Sequence, residues 1–395
     1  MKGGIVLKTA GIVCEYNPFH SGHQYQIEQT RKNGATHVVC VMSGNFVQRG
    51  EAACLPKAQR ASMAVENGAD LVVELPVAWA MSSAQTFARG AVGILNALGC
   101  VDMISFGSES ADVKSIEKCA AAMDDEKTVA LVKEHVASGL SYPSAVEKAV
   151  SLVLGEEAAL LFASPNDTLN IEYLRALKEK NSSIVPFAVR RTSKHDGGAS
   201  AMEIRILMKD GADFSSLMPE KAAATAAQLI DDGFAPCDVK NVERAVLAKL
   251  RTMSVGEIAQ APDVTQGLEN RIYDAVRKAA SLDELYSLVK TKRYTHAKIR
   301  RVILSLFLGI AACDSQGIPP YVRVIAANSR GVEILSKAKK TAALPIVARC
   351  SDFDSLNEKS RRTFELECKA GDLFALCSPV ARPCGLEMTQ KFILV

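Results

Sequence analysis

The chain has 395 residues, 48% of them hydrophobic and 23% charged, with a formal net charge of +3. This is the balance of an ordinary globular protein long enough for two domains, and so small a net charge neither demands nor excludes a nucleic-acid partner. No apolar run reaches the roughly 20 residues that span a bilayer, and the N-terminus enters a strand without room for a charged leader and a separate apolar region. A cytoplasmic location and no membrane partner are therefore expected. The eleven cysteines include no Cys-x-x-Cys pair. They read as small buried groups of a reducing compartment. Cys368, Cys377 and Cys384 cluster near the end and leave a metal there as an alternative; no metal-ligating set is assigned.

In chain order, Gly4–Cys14 reads as a strand, Ser21–Lys32 as a helix, His37–Met42 as a strand and Lys57–Asn67 as a helix. Leu71–Glu74 is then a strand, Ser82–Leu98 a helix and Asp102–Phe106 a strand. These strands are continuous apolar runs, as in a parallel sheet covered on both faces. Their alternation with helices predicts a doubly wound α/β sheet. Ala111–Leu161 is helical in pattern, Ser164 to Asp167 marks a helix start, and Asn170–Lys180 continues it. Ser183–Val189 is a further strand, and a polar loop from Arg190 to Gly198 leads to a helix opened by Ser200. After about residue 215 the texture changes. Pro219–Asp232, Val239–Met253, Gly267–Ala279, Leu282–Lys290 and Tyr294–Ala312 form a helical module. Strand-like Tyr321–Ile325 and Leu344–Val347, helical stretches and the apolar run Leu373–Leu376 make a small α+β end.

Ligands in such sheets bind beyond the carboxyl ends of the strands. That rule gathers His20, Ser43-Gly44-Asn45 and Gly107-Ser108-Glu109 in one place. The stretch Gly11-Ile-Val-Cys-Glu-Tyr-Asn-Pro-Phe-His-Ser-Gly-His23 runs from strand through turn to helix. A helix N-terminus offers unpaired N–H groups and a partial positive charge to an anion. Gly22 allows close approach of the backbone, and His20 and His23 can face one phosphate chain. Helix-capping histidines are the plainer alternative. Ser200 and Arg205, one turn apart on the next helix, can face a second anion. Lys57 and Arg60 share a helix face and suit either solvent or a phosphate. Glu15 and Asn17 suit either turn orientation or a metal. The stretch Leu285–Cys313 holds no acidic residue. Its Lys290, Lys292, Arg293, Lys298, Arg300 and Arg301 interleave with Tyr286, Tyr294 and His296. That mixture suits a phosphate backbone and unstacked bases, or else a solvated helix.

His20-Ser21-Gly22-His23 resembles the His-x-Gly-His signature of the nucleotidyltransferase superfamily. Glu15-Tyr-Asn-Pro-Phe-His-Ser-Gly-His23, Val41-Met-Ser-Gly-Asn-Phe-Val-Gln-Arg-Gly50, Asp70-Leu-Val-Val-Glu-Leu-Pro76 and Phe106-Gly-Ser-Glu109 resemble the tRNA(Met) cytidine acetate ligase family. So do Asn166 to Leu174 and Thr291-Lys-Arg-Tyr-Thr-His296. The resemblance implies a nucleotidyltransferase-like catalytic domain over residues 1–215. Residues 216–395 would then be a mostly helical, basic, tRNA-binding region. It implies an ATP-dependent ligase that forms acetyl-adenylate and acetylates N4 of the wobble cytidine of elongator tRNA(Met). ATP is the co-substrate, Mg2+ its expected companion, and acetate and the tRNA the other partners.

His20, His23 and Arg205 are the implied catalytic residues, stabilising the departing pyrophosphate. The implied ATP cleft comprises Val13, Cys14, Glu15, Tyr16, Asn17, Pro18, Phe19, His20, Ser21, Gly22, His23, Gln24, Tyr25 and Gln26. Gly107, Asn166, Arg190, Arg191 and Ser200 complete it, with the choice between Arg190 and Arg191 open. In Ala199-Ser-Ala-Met-Glu-Ile-Arg205, Met202 and Glu203 stand where the family has Thr and Ala. The acetate pocket is expected near His20, Ser43 and Asn45. Two other classes fit the residues: a nucleotidyltransferase adenylylating a small phosphate-bearing metabolite, and an RNA-binding protein with a vestigial nucleotide site.

Overall fold

The computed structural model describes residues 7–191, 200–265 and 267–395. Most of the Arg190–Gly198 loop and the first residues of the expected opening strand lie outside them. Among the described residues there are ten strands: β1 (Thr9–Cys14), β2 (His37–Ser43), β3 (Phe46–Val47), β4 (Glu51–Ala52), β5 (Leu71–Leu75), β6 (Met103–Ser108), β7 (Val185–Arg190), β8 (Val322–Ala327), β9 (Ile346–Val347) and β10 (Ile393–Leu394). The main sheet runs β10-β8-β5-β2-β1-β6-β7, with β9 beside β8. β5, β2, β1, β6 and β7 run parallel to one another.

Alternate residues of β2 feed two cores. Val39 and Val41 pack with Leu71, Val73, Trp79, Leu95 and Ile104 on one face. Val38, Cys40 and Met42 pack with Ile12, Ile27, Met63 and Val72 on the other. Both faces are dry, which is why the strands lack a polar alternation. The chain builds β1, β2 and β5 outward, then returns to the far side of β1 to lay down β6. The order of strands therefore reverses beside β1, the place where such sheets open a ligand crevice.

The helical module over 220–308 buries Val246, Leu250, Ile272, Leu285, Val302 and Leu306 in the first of these cores. The C-terminal strands do not stand apart. β8 pairs antiparallel with β5, in register Glu74↔Arg323, and β10 extends the sheet from β8. The small C-terminal part is thus built onto the N-terminal sheet. Leu373–Ala375 is the end of helix Glu358–Ala375, its Phe374 buried. Among the described residues no helix is long and apolar enough to cross a membrane.

Candidate functional site

The crevice starts where β1 ends. Tyr16 takes a left-handed φ of 46°, unusual for a bulky residue, and the Asn17–Pro18 peptide is cis. The Asn17 amide oxygen accepts from the Cys54 N–H at 2.7 Å, which pins the turn from behind. The Tyr16 ring packs on Phe19 and His23, with centroids 4.9 and 4.8 Å apart. The chain then enters helix Ser21–Lys32 through a cap made of histidines. His20 Nδ1 accepts the Gly22 N–H at 3.0 Å, and His23 Nδ1 accepts the His20 N–H at 3.2 Å. The plainer sequence reading, histidines as caps, is therefore correct as far as Nδ1 goes.

It does not exhaust them. A ring whose Nδ1 accepts carries its proton on Nε2 in the neutral state. Both histidines are accordingly Nε2–H donors. Their rings stack at 3.7 Å between centroids, so they present this edge together. Burial lowers the pKa of His20 to about 4, with the Arg191 charge adding to the effect. Burial, His20 and Arg191 lower that of His23 in the same sense. The pair is neutral at physiological pH and ready to donate. Helix Ser21–Lys32 has no acidic residue in its first turn, as an anion-facing end requires. Gln26 bonds to the Ser105 carbonyl and Thr30 to the Ser105 hydroxyl, fixing this helix against β6.

The opposite wall is the end of β6. Gly107 lies in that strand, and a Cβ there would meet the Arg191 side chain at 3.4 Å. Arg191 pairs with Glu109 at 3.4 Å, both side chains being nearly half exposed. Glu109 also accepts from Ser164 Oγ and Asn166 Nδ2, each at 2.5 Å. Two of the expected residues, Asn166 and Arg191, are thus gathered around Glu109, and Arg191 in turn lies over Gly107. Buried Asp167 holds the turn below, through Ser108 Oγ at 2.5 Å and the Ser110 N–H at 3.2 Å. Glu109 and Asp167 were not singled out as site residues in the sequence. Their signal was position: each follows a strand or a helix cap beside residues that were. Arg190 points the other way and donates to the Ser110 carbonyl at 3.2 Å.

A third element closes the turn from above. Ser200 caps helix Ala201–Asp210, and Arg205 on that helix donates to the Asn17 carbonyl at 2.8 Å. Its charge reaches Glu15. Burial raises the Glu15 pKa, while the Gln48 N–H, Arg49, Arg205 and Arg60 pull it back. Glu15 accepts the Gln48 N–H at 2.9 Å.

Lys57 and Arg60 are not a solvated face. Arg60 is wholly buried, and its guanidinium donates to the carbonyls of Glu15, Ser43, Gly44 and Leu55. Lys57 Nζ is buried between Glu74 and Glu387, 2.6 Å from each. Arg323 joins the same two carboxylates, at 3.3 and 2.6 Å. Together they form a closed charged knot beneath Ser43-Gly44-Asn45, and a Cβ on Gly44 would lie 2.5 Å from Glu74 Oε1. Above it, the Lys57 N–H donates to Asn45 Oδ1 at 3.0 Å. Ser43 Oγ is buried without a hydrogen-bond partner among the described residues. Of the C-terminal cysteines, Cys368 lies 3.6 Å from Met388 sulfur, Cys377 donates to the Leu373 carbonyl, and Cys384 is exposed.

The basic stretch divides. Lys292 and Arg293 are exposed beside a recess of about 480 Å³, also lined by Gly139, Arg271 and Tyr294. Lys290 donates to the Thr291 carbonyl, and Lys298 lies over the Tyr294 ring. Arg300 pairs with Glu51 at 2.6 Å, and Arg301 donates to the Gln48 carbonyl at 3.2 Å. The last two therefore hold the β3–β4 hairpin.

The profile of the HIGH Nucleotidyl Transferase family matches residues 7–386. The tRNA(Met) cytidine acetate ligase of Acetivibrio thermocellus is 37% identical over 415 aligned positions, covering 98% of this chain and all of the relative. The protein of the same name from Clostridium acetobutylicum is 32% identical over 98% of this chain. The crystal structure of Thermotoga maritima TmcAL bound with alpha-thio ATP superposes with a TM-score of 0.93 at 29% identity, covering 98% of this chain and 99% of that one. The chain belongs to the HIGH nucleotidyl transferase family and, within it, to the tRNA(Met) cytidine acetate ligases.

Proposed function

From that membership we propose that the chain is an ATP-dependent ligase that acetylates N4 of the wobble cytidine of elongator tRNA(Met). The observation that carries the chemistry is the stacked pair of neutral histidines, with both Nδ1 atoms engaged and both Nε2–H groups left to donate. In the first step an acetate oxygen attacks the α-phosphorus of ATP and pyrophosphate leaves. In the second the cytidine N4 attacks the acetyl carbon, AMP departs and N4 loses a proton. The amine of cytosine is a weak nucleophile, so a mixed anhydride is the reactive form it needs.

Charge builds on the departing pyrophosphate, and fixed donors there accelerate the step without covalent catalysis. We assign that role to His20, His23 and Arg205. Gly107, Asn166 and Arg191 take the nucleotide on the opposite wall, with Glu109 setting Asn166 and Arg191. The turn from Val13 to Gln26 lines the cleft. Acetate is assigned to the end of β2, near His20 and Asn45, where the Ser43 hydroxyl has no partner among the described residues and Arg60 ties the Ser43 carbonyl to that of Glu15. Mg2+ is assigned as the companion of the triphosphate, a mode that needs one or two carboxylates besides the phosphates, and we assign Glu15 as the carboxylate that would join it.

Residues 1–215 are assigned to activation and 216–395 to the tRNA. The division is one of function, because β8 and β10 belong to the common sheet. A tRNA-modifying role goes with the cytoplasm. The test is acetate-dependent ATP–pyrophosphate exchange by the purified chain, followed by mass spectrometry of nucleosides from tRNA incubated with ATP and acetate. Exchange without tRNA and acetylcytidine with it are expected. Turnover of a phosphate-bearing metabolite with no RNA product would overturn the reading.

A further inference from the structure

The hairpin Phe46–Ala52 lies between the histidine turn and helix His296–Leu308, and its tip carries a cation, Arg49. On one side the tip touches the ATP turn: the Gln48 N–H donates to the Glu15 carboxylate at 2.9 Å. On the other it is docked on the first turns of helix His296–Leu308. Arg301 donates to the Gln48 carbonyl, Arg300 pairs with Glu51, and Gly50, at φ 72°, leaves only 2.5 Å between a Cβ and the Arg301 nitrogen. Gln48 is thus held from both sides, and Gly50 packs against the helix. Between them the Arg49 side chain is exposed, with no hydrogen bond or ion pair among the described residues.

That placement has a consequence for the RNA. Helix His296–Leu308 follows directly on the loop that exposes Lys292 and Arg293. An RNA lying on that loop reaches the histidine turn by crossing the hairpin tip, since the tip fills the space between that helix and Glu15. A guanidinium fixed there by a rigid backbone meets whatever phosphate crosses it, and planar forks suit phosphate oxygens. Arg300 and Arg301 are engaged by Glu51 and the Gln48 carbonyl, whereas Arg49 has no such partner among the described residues. The charge of Arg49 is also felt at Glu15, so it stands close to the turn.

We propose that Arg49 is a further substrate-positioning residue, seating a tRNA backbone phosphate next to the reactive nucleotide so that N4 meets the acetyl-adenylate. The proposal rests on the tRNA reading given above. The contact supplies geometry and charge and takes no part in bond making.

The test compares Arg49→Ala and Arg49→Lys with the native chain in two assays. One is tRNA acetylation; the other is acetate-dependent ATP–pyrophosphate exchange, which needs no RNA. Arg49→Ala should raise the KM for tRNA about tenfold, an effect much larger than any on exchange. Its log–log salt dependence of tRNA binding should be shallower by about 0.7 to 0.9, the loss of one phosphate contact. Arg49→Lys should recover most of both. An exchange rate that falls as far as acetylation would place Arg49 on ATP and overturn the proposal, as would an unchanged KM and salt slope. A Lys292→Ala/Arg293→Ala variant separates this from failure of the underlying reading. If that variant binds tRNA weakly and Arg49→Ala does not, only the Arg49 proposal falls. If neither variant alters tRNA binding, the basic-region reading falls with it.

Discussion

Two groups of charged and titratable residues lie against the same short segment, residues 43–60, one through Arg60 and the Glu15 carbonyl and the other through Lys57 and Gly44, and they are handled in opposite ways. Around the histidine turn, donors outnumber carboxylates: the neutral His20 and His23 stand with the cationic Arg191 and Arg205, and the Glu109 carboxylate, half exposed, pairs with Arg191 alone of the two. In the knot below Gly44, every charge has its counterpart. Lys57 and Arg323 face Glu74 and Glu387 at 2.6 to 3.3 Å, all four buried. Burial works against the ammonium of Lys57, yet Glu387 and Glu74 outweigh it and hold its pKa above the usual value. A fifth member, Glu367, accepts the Val77 N–H, and burial with the nearby Glu74 charge pushes its pKa well up. With Glu367 protonated, the knot is two cations against two anions. A neutralised cluster is architecture; an unmatched one waits for a ligand.

The largest effect should come from unbalancing the knot. Glu387→Gln leaves two buried cations against one carboxylate, and removing one partner of a buried pair costs about 3–5 kcal/mol. Glu367, whose pKa is pushed up, is the carboxylate the knot least needs charged, and Glu367→Gln keeps an acceptor for Val77, so it should cost about 1 kcal/mol or less. Denaturant midpoints of the two variants measure the contrast. Equal losses would show that Glu367 is ionised and that the knot is not balanced as described.

Next in size is a loss of activity at the turn with little loss of fold. His20→Asn keeps a good helix cap, since Asn is a preferred residue there, but removes the Nε2–H donor. Acetate-dependent ATP–pyrophosphate exchange should fall about 10²- to 10³-fold, the usual cost of one preorganised donor, while the denaturant midpoint at pH 7.5 stays near that of the native chain. Retained exchange would reduce His20 to a cap.

The same substitution tests the pKa from the other side. His20 titrates near 4 in the folded chain and near 6.5 unfolded. As pH falls below about 6.5 the unfolded chain takes the proton first, so stability held above that pH is lost down to about pH 4. Full uptake corresponds to about 3 kcal/mol for this buried ring. The stability gap between pH 7.5 and pH 4.5 should therefore be smaller in His20→Asn than in the native chain, by urea unfolding at both pH values. An identical gap would mean that the ring is already solvated.

The histidine turn, Gly107 and Asn166 were legible because each lies at the carboxyl end of an apolar run or at a helix start, and local pattern marks both. The knot was not read, though its signal was present. Glu74 interrupts the buried run Leu71–Leu75, and Arg323 interrupts Tyr321–Ile325. A charge inside a buried strand requires a partner, and these two are opposite one another in register. Pairing them needs a contact across about two hundred and fifty residues, which periodicity does not carry. Lys57 and Arg60 failed for the same reason: their spacing was visible, but not the carboxylates and carbonyls that bury them. The split of the basic stretch was equally hidden, because Arg300 and Arg301 look as free as Lys292 and Arg293 until Glu51 and Gln48 are brought against them.

The smallest contrast is between adjacent residues. Arg190 is the last residue of β7, and neighbours along a strand point to opposite sides. Arg190 turns to the Ser110 carbonyl, away from the histidines, whereas Arg191 lies over Gly107 and bears on both imidazoles. If the open cluster is the nucleotide site, Arg191→Ala should weaken ATP binding about tenfold, the scale of one charge-assisted contact to phosphate. Arg190→Ala removes an exposed bond to one carbonyl and should change binding by less than about twofold. Calorimetric titration with a non-hydrolysable ATP analogue resolves the two. The reverse order would move the triphosphate to the Ser110 side of β7. It would leave the stacked histidines facing the base or the acetate instead, because Arg191 is the cation that shares their side of the strand.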